Sequence, residues 1–152
     1  MPADQGWPTL PASTGLVTVD RDGMAVACAF TMNNLFGTGR VAPGTGMVLA
    51  AAPGIGQVQP PLLSAGIAYG PSVRAFRAAA AGSGQHGAPM AVAGPLAQAV
   101  RGAAPGTSFA AVPNPGRAQV LSCPRYLPGQ PAACEFLTDP RGTGLALGAV
   151  DR

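Results

Sequence analysis

A tight turn between two strand-like runs constrains the fold of this chain more than any other feature. Residues 16–20 alternate and carry β-branched side chains, and residues 25–31 form a second apolar run. Residues 20–23, Asp-Arg-Asp-Gly, have the composition of a turn. The pattern predicts an antiparallel hairpin. Its turn would bring Thr31, at the end of the second strand, close to Ser13, at the start of the first.

The remaining sequence predicts many short elements and a single helix. Of the 152 residues, 47% are hydrophobic and 10% are charged, which indicates a packed globular domain. With 22 glycines and 17 prolines spread along the chain, we expect short strands joined by turns. Further strands are predicted at residues 47–51, 62–69, 75–80, 108–112, 118–123 and 144–150, and a helix at residues 88–101. The predicted fold class is therefore α+β.

Charge and apolar runs exclude several classes of function. The net charge of +3 comes from scattered arginines, and aromatic residues make up only 5%, which argues against nucleic-acid binding. No apolar run approaches 20 residues, so we expect no membrane span. Residues 1–12 read as an extended leader without signal-peptide features, and a signal, if the protein is exported, would lie upstream.

The three cysteines predict one disulfide and one free thiol. Cys123 and Cys134 flank a loop rich in proline and glycine, and a disulfide is favoured over two free thiols in an oxidising compartment. Cys28 lies in an apolar run and is predicted to be a buried thiol. With His86 as the single histidine, the spacing matches no zinc pattern, and we expect neither a metal nor a cofactor.

Two segments resemble the small subunit of the γ-glutamyltranspeptidase family. That subunit opens with Thr-Thr-His, a hydrophobic strand and Asp-x-x-Gly, and its second strand ends in Thr-x-Asn-x-x-Phe-Gly-x-Gly. The matching residues here are Thr31, Asn33, Phe36, Gly37 and Gly39, followed by Pro43, Gly44, Thr45 and Gly46. Near the other end, Asp139-Pro140-Arg141 and the later Ala146-x-Gly148 are similar to the closing strand of the family.

The resemblance implies part of the αββα sandwich of N-terminal-nucleophile hydrolases, with residues 13–152 as the small-subunit catalytic domain. It also implies a precursor that cleaves itself between Ala12 and Ser13, so that Ser13 supplies both a nucleophilic hydroxyl and a free α-amine. Thr14 is the alternative nucleophile, one position later. A large-subunit segment of the same precursor, closed by residues 1–12, is the implied partner.

The resemblance assigns further roles around this nucleophile. Thr31 would bind its amine, while Asn33 and Ser64 would contact the substrate. The alternative for Thr31 and Asn33 is that both are strand-end residues bonded to turn backbone. Main-chain N–H groups of Gly84, Gln85 and His86 would form the oxyanion hole. For the His86 side chain, a solvated surface position is favoured over a general base.

The implied activity is acyl transfer from γ-glutamyl amides such as glutathione to water or an amine, after autocatalytic cleavage of a zymogen. We expect the protein in the periplasm or outside the cell, with the cytoplasm as the alternative. The family holds the α-amino group of its substrate with an acidic and amide-rich segment, where this sequence has Ala50-Ala51-Ala52-Pro53-Gly54. A buried ammonium needs a partner. The alternative is therefore a non-catalytic homologue, or an amidase of different specificity.

Overall fold

The predicted hairpin is present in the computed structural model of the chain, which describes residues 12–33, 35–52 and 62–148. Strand β1 (Ser13–Val19) pairs antiparallel with β2 (Ala25–Thr31), and Ser13 lies opposite Thr31. Oδ1 of Asp20 accepts hydrogen bonds from the main-chain N–H groups two and four residues later. This acidic side chain closes the turn and so fixes which residues meet at the other end.

Four more strands form a second antiparallel sheet in the order β3-β4-β5-β6. They are β3 (Ser64–Gly70), β4 (Ala75–Ser83), β5 (Arg117–Leu127) and β6 (Glu135–Thr138). The alanines at positions 78–81 of β4 are buried. Their small side chains let both faces of this strand be covered closely.

Helix α1 (Ala88–Val100) covers one face of the four-stranded sheet. The first turn of this helix contains a proline. Because the N–H groups of a first turn have no partner within the helix, proline costs no hydrogen bond there and favours the start of the helix at this point. Buried Ala91 and Val92 of the helix pack with Ala80 of β4 and Val120 of β5. Pro95 lies inside the helix and is buried with it.

The hairpin covers the opposite face of the same sheet. Val17 and Val19 of β1 pack on a second apolar cluster that includes Phe76 and Leu121. A Cβ added at Gly15 would lie 2.7 Å from the Cβ of Ala81 in β4, so glycine lets the two sheets approach closely.

The described layers are therefore hairpin, four-stranded sheet and helix, which are three layers of an αββα arrangement. The outer face of the hairpin carries apolar side chains in solvent, since Leu16 and Phe30 are each 50% exposed. This observed α+β architecture, with two antiparallel sheets and few helices, agrees with the predicted class.

Three predicted strands are wrong, and one strand was missed. Residues 47–51 form only an isolated bridge between Val41 and Val48. Residues 108–112 fall largely within a 3₁₀ helix, Pro105–Ala111, which starts at a proline compatible with helical φ. Residues 144–148 form no strand, and 149–150 lie outside the described part. The missed strand is the short β6. Residues 1–11 of the predicted leader are not described.

Cys123 and Cys134 form a disulfide between β5 and the start of β6. Cys28 is a free thiol and is partly exposed on β2, where full burial was predicted. Within the described ranges, no helix has the length and apolar character needed to cross a membrane.

Candidate active site

Ser13 begins β1 at the open end of the hairpin. The N–H of Met32 donates to the carbonyl oxygen of Ala12 over 2.9 Å, which makes Ala12 and Met32 a hydrogen-bonded pair. Pair types alternate along an antiparallel ladder, so Ser13 and Thr31 form a non-hydrogen-bonded pair, whose side chains lie closer together. The N–H of Ser13 consequently points away from β2, toward the edge of β1.

Gly84 contacts the Ser13 hydroxyl from the neighbouring sheet. Its N–H donates a 3.0 Å hydrogen bond to Oγ of Ser13. Gly84 directly follows β4 and has a left-handed φ of 92°, which favours glycine. A Cβ at this position would also collide with the carbonyl oxygen of Pro115. Backbone conformation and space therefore both require glycine where the main chain turns toward Ser13.

A cavity of about 410 Å³ opens beside this contact. Its lining comes from β1, β4, β5 and the segment after β6, and comprises Ser13, Thr14, Ser83, Gly84, Pro115, Arg117, Ala118, Gln119, Thr138, Asp139, Gly142, Thr143, Gly144 and Leu145. Most of these residues are polar or glycine. The cavity brings together the two candidate nucleophiles and the first residue of the predicted oxyanion loop.

Thr31 and Asn33 make hydrogen bonds that organise the end of β2. Oγ1 of Thr31 accepts from the N–H of Asn33 over 2.9 Å. Nδ2 of Asn33 donates to the carbonyl oxygen of Ala51, and Asn33 has a left-handed φ of 63°. These contacts to turn backbone correspond to the alternative given for both residues. Thr31 still lies directly across from Ser13.

The remaining predicted substrate-binding and oxyanion residues do not line the cavity. Ser64, at the start of β3, pairs with Gly82 of β4. Gln85 and His86 belong to a single 3₁₀ turn that follows Gly84. His86 is exposed, as the surface interpretation of its side chain expects.

Asp139, which lines the cavity, forms an ion pair with Arg141. Its carboxylate accepts from the main-chain N–H and from Nε and Nη2 of Arg141. Arg141 also donates to the carbonyl oxygens of Val112 and Phe109, so the pair fastens the segment after β6 to the 3₁₀ helix. Burial raises the pKa of Asp139, but the hydrogen bonds from Arg141 outweigh it and hold the pKa below its usual value.

Arg117 and Gln119 of the cavity were not identified from the sequence. They alternate along β5 with Ala118 and Val120, which are buried beneath the helix. Arg117 and Gln119 therefore project from the opposite face of the sheet, the one that the hairpin covers. The alternation of polar and apolar residues at 117–120 is the signal that could have found them.

Among known proteins, this chain is similar to solved structures with the same fold. No protein-family model matches the sequence, and no curated protein matches it. Among solved structures, a γ-glutamyltranspeptidase from Pseudomonas nitroreducens complexed with L-DON matches with a TM-score of 0.62 and 18% identity, over 91% of this chain and all (100%) of that chain.

Two further structures match in the same way. A T380A mutant of the Helicobacter pylori γ-glutamyltranspeptidase has a TM-score of 0.62 at 14% identity, over 85% of this chain and 100% of that one. The Bacillus anthracis transpeptidase CapD has a TM-score of 0.56 at 17% identity, over 87% and 98%. The resemblance seen in the sequence motifs thus extends to the architecture: the chain has the fold of these γ-glutamyltranspeptidases, at low sequence identity.

Proposed function

We propose that this chain is the catalytic small-subunit segment of an N-terminal-nucleophile acyltransferase or hydrolase that acts on amides of the γ-glutamyl type. Ser13 is the nucleophile, and it gains its free amine when the bond between Ala12 and Ser13 is cleaved. The single observation that carries this proposal is the hydrogen bond from the Gly84 N–H to Oγ of Ser13, because it joins a hydroxyl and a main-chain donor at the mouth of a polar cavity.

The contacts around Ala12 support self-cleavage. Oγ of Ser13 adds to the carbonyl carbon of Ala12, and its proton passes to the Ser13 nitrogen as the C–N bond breaks. Water then hydrolyses the resulting ester, which leaves a carboxylate on Ala12 and the free hydroxyl and amine on Ser13. The N–H of Met32 already donates to the carbonyl oxygen that becomes negative in this step. The strand pairing places the Ser13 nitrogen at the open edge of β1, where the new amine has room.

Acyl transfer then uses the same two groups. The amine accepts the proton of Oγ as the oxygen attacks the substrate amide, and the leaving amine departs with that proton. The N–H of Gly84 lies near enough to Oγ to stabilise the developing oxyanion, with N–H groups of Gln85 and His86 as the adjacent donors in the turn. Water or an acceptor amine then takes the acyl group from Ser13.

The hairpin supports a large-subunit segment as partner. Its outer face carries half-exposed Leu16 and Phe30, and the fourth layer of an αββα sandwich would cover this face. Residues 1–12 would be the end of that segment. The disulfide between Cys123 and Cys134 supports an oxidising location, in the periplasm or outside the cell.

A second candidate is an amidase for a different acyl group. The segment after the hairpin reads Ala50-Ala51-Ala52 and is tied to the end of β2 through the N–H of Ala51, which donates to Met32. It lies where the resemblance expects groups that bind a substrate ammonium, and it has no side chain able to do so. This observation favours a substrate without that ammonium. A non-catalytic homologue is the remaining alternative.

Release of a chromogenic anilide from γ-glutamyl and related acyl groups tests the proposal. We expect the unaltered protein to release the anilide, Ser13→Ala to release none, and Thr14→Ala to keep most of the activity. Equal turnover by Ser13→Ala and the unaltered protein would contradict Ser13 as nucleophile. A protein that turns over no acyl anilide would support the non-catalytic alternative.

A further inference from the structure

The cavity beside Ser13 contains a cation, Arg117, that forms no ion pair with a carboxylate of the described residues, although its charge helps to lower the pKa of Asp139. Arg117 begins β5 and lies opposite Ser83, the residue before Gly84. Asp139, the acidic residue of the cavity lining, is 2% exposed and is paired with Arg141 instead. Arg117 thus gives the reaction cavity a positive charge.

The guanidinium of Arg117 is held in place through one of its nitrogens, and the other two remain available to bind a ligand. Nη1 donates to Oδ1 of Asn114 over 3.0 Å and to the carbonyl oxygen of Gly116 over 2.6 Å. No other atom of this guanidinium hydrogen-bonds to the rest of the described chain. Nε and Nη2 therefore keep the paired donors that bind a carboxylate through two parallel hydrogen bonds.

Within the described part of the chain, no unpaired carboxylate lies in the cavity to match a substrate ammonium. The six acidic residues of the chain are Asp4, Asp20, Asp22, Glu135, Asp139 and Asp151. Asp20 and Asp22 lie at the hairpin turn, at the opposite end of β1 from Ser13. Glu135 starts β6, whereas the cavity is lined by the end of that strand. Asp4 and Asp151 lie outside the described residues.

We propose that Arg117 binds a carboxylate on the acyl part of the substrate, and that this acyl part carries no α-ammonium. The preferred substrate class is then a monoamide of a dicarboxylic acid of about glutaric length. This inference rests on the proposed function, since it needs Ser13 as the nucleophile. The inference adds to that function the identity of the acyl group.

The spacing between Ser13 and Arg117 suits such an acyl chain. Oγ of Ser13 lies 3.0 Å from the Gly84 nitrogen, and Arg117 pairs with the residue next to Gly84. Neighbouring strands are about 5 Å apart, so the main chain of Arg117 lies roughly one strand spacing from Ser83, the residue before the nitrogen that contacts Oγ of Ser13. Three methylene groups between an amide carbonyl and a carboxylate cover this distance. A γ-glutamyl group of equal length would add an ammonium to a cavity that is already positive.

Hydrolysis of four p-nitroanilide substrates by the protein, expressed from its complete reading frame, tests this assignment. Glutaryl, γ-glutamyl and valeryl anilides vary the charge on an acyl chain of constant length. A valeryl anilide with a carboxylate on the aniline ring moves that charge to the leaving group. We expect glutaryl to be hydrolysed with a kcat/KM roughly 10- to 100-fold above valeryl, the factor expected for a charge-assisted hydrogen-bonded pair, and above γ-glutamyl as well.

Arg117→Gln should remove the advantage of glutaryl, so that the ratio of the glutaryl to the valeryl kcat/KM falls to about one. Arg117→Lys should restore part of the advantage, because it restores the charge without the paired donors. Arg125→Gln is the matched control, since it removes the same charge from an exposed position on the same strand, and it should keep the full glutaryl preference.

Three results would overturn the assignment. The first is a kcat/KM for the γ-glutamyl anilide equal to or above that for the glutaryl anilide. The second is a glutaryl preference that survives Arg117→Gln. The third is an Arg117→Gln effect seen only with the substrate whose leaving group carries the carboxylate. In each case, valeryl hydrolysis that still requires Ser13 would leave the proposed nucleophile intact. If neither the unaltered protein nor Ser13→Ala hydrolyses any of the four anilides, the proposed function itself fails.

Discussion

The N–H of Gly84 lies 3.0 Å from Oγ of Ser13, although 71 positions separate the two residues in the chain. The contact joins the first residue of the hairpin to the residue that directly follows β4, a central strand of the other sheet. It depends on the close approach of the two sheets at Gly15 and Ala81. The Ser13 hydroxyl is thus positioned by sheet packing.

Gly84 should tolerate no side chain. Gly84→Ala adds a Cβ that meets the main chain of Pro115 and forces alanine into a left-handed conformation. We expect a loss of about 3 kcal/mol in the free energy of unfolding and a large loss of activity. Gly102→Ala is the control, because Gly102 has a similar φ of 79° with open space around it. It should cost about 1 kcal/mol and leave activity unchanged. Equal urea midpoints for the two variants would contradict this account.

The disulfide should stabilise the β5–β6 edge of the sheet. Cys123 and Cys134 are 11 positions apart, and a closed loop of this size contributes about 2 to 4 kcal/mol. Replacing both cysteines by alanine should lower the urea midpoint accordingly, whereas Cys28→Ala should change it little. Thiol titration of the unfolded, unreduced protein should find one reactive group. Three reactive groups before reduction would show that the disulfide is absent.

The Asp139–Arg141 pair should make stability depend on pH in the acid range. The pKa of Asp139 is lower in the folded protein than in the unfolded chain. Its contribution is therefore fully present above the unfolded value of about 3.9 and is lost as pH falls through the folded value. Asp139→Asn should lower the melting temperature by several degrees at pH 7, with the difference shrinking toward pH 3. A constant difference at all pH values would contradict this role for the charge.

The sequence predicted the hairpin well because its determinants are local. Alternation over residues 16–20 and the turn chemistry at residues 20–23 were enough to place Thr31 beside Ser13. The same local signals misled at residues 108–112 and 144–148. Apolar residues there read as strands, but Pro105 starts a 3₁₀ helix and the chain near Gly144 makes no ladder.

The cavity could not be predicted, because it depends on contacts distant in the sequence. Ser83 meets Arg117 only through the pairing of β4 and β5, which helix α1 and two 3₁₀ segments separate along the chain. The hydroxyl of Thr31 could be placed near Ser13 from the hairpin alone. That its oxygen accepts from the Asn33 N–H depends on how the chain turns after β2, which the sequence does not reveal.

The account as a whole requires that one residue deliver both the hydroxyl and the amine at the start of β1. Intact-mass and N-terminal analysis of the protein expressed from its complete reading frame measures this directly. We predict a chain that begins at Ser13 in the unaltered protein and in Thr14→Ala, and an uncut chain in Ser13→Ala. A chain that begins at Thr14, or an unaltered protein that stays uncut between Ala12 and Ser13 while it hydrolyses amides, would contradict the central claim.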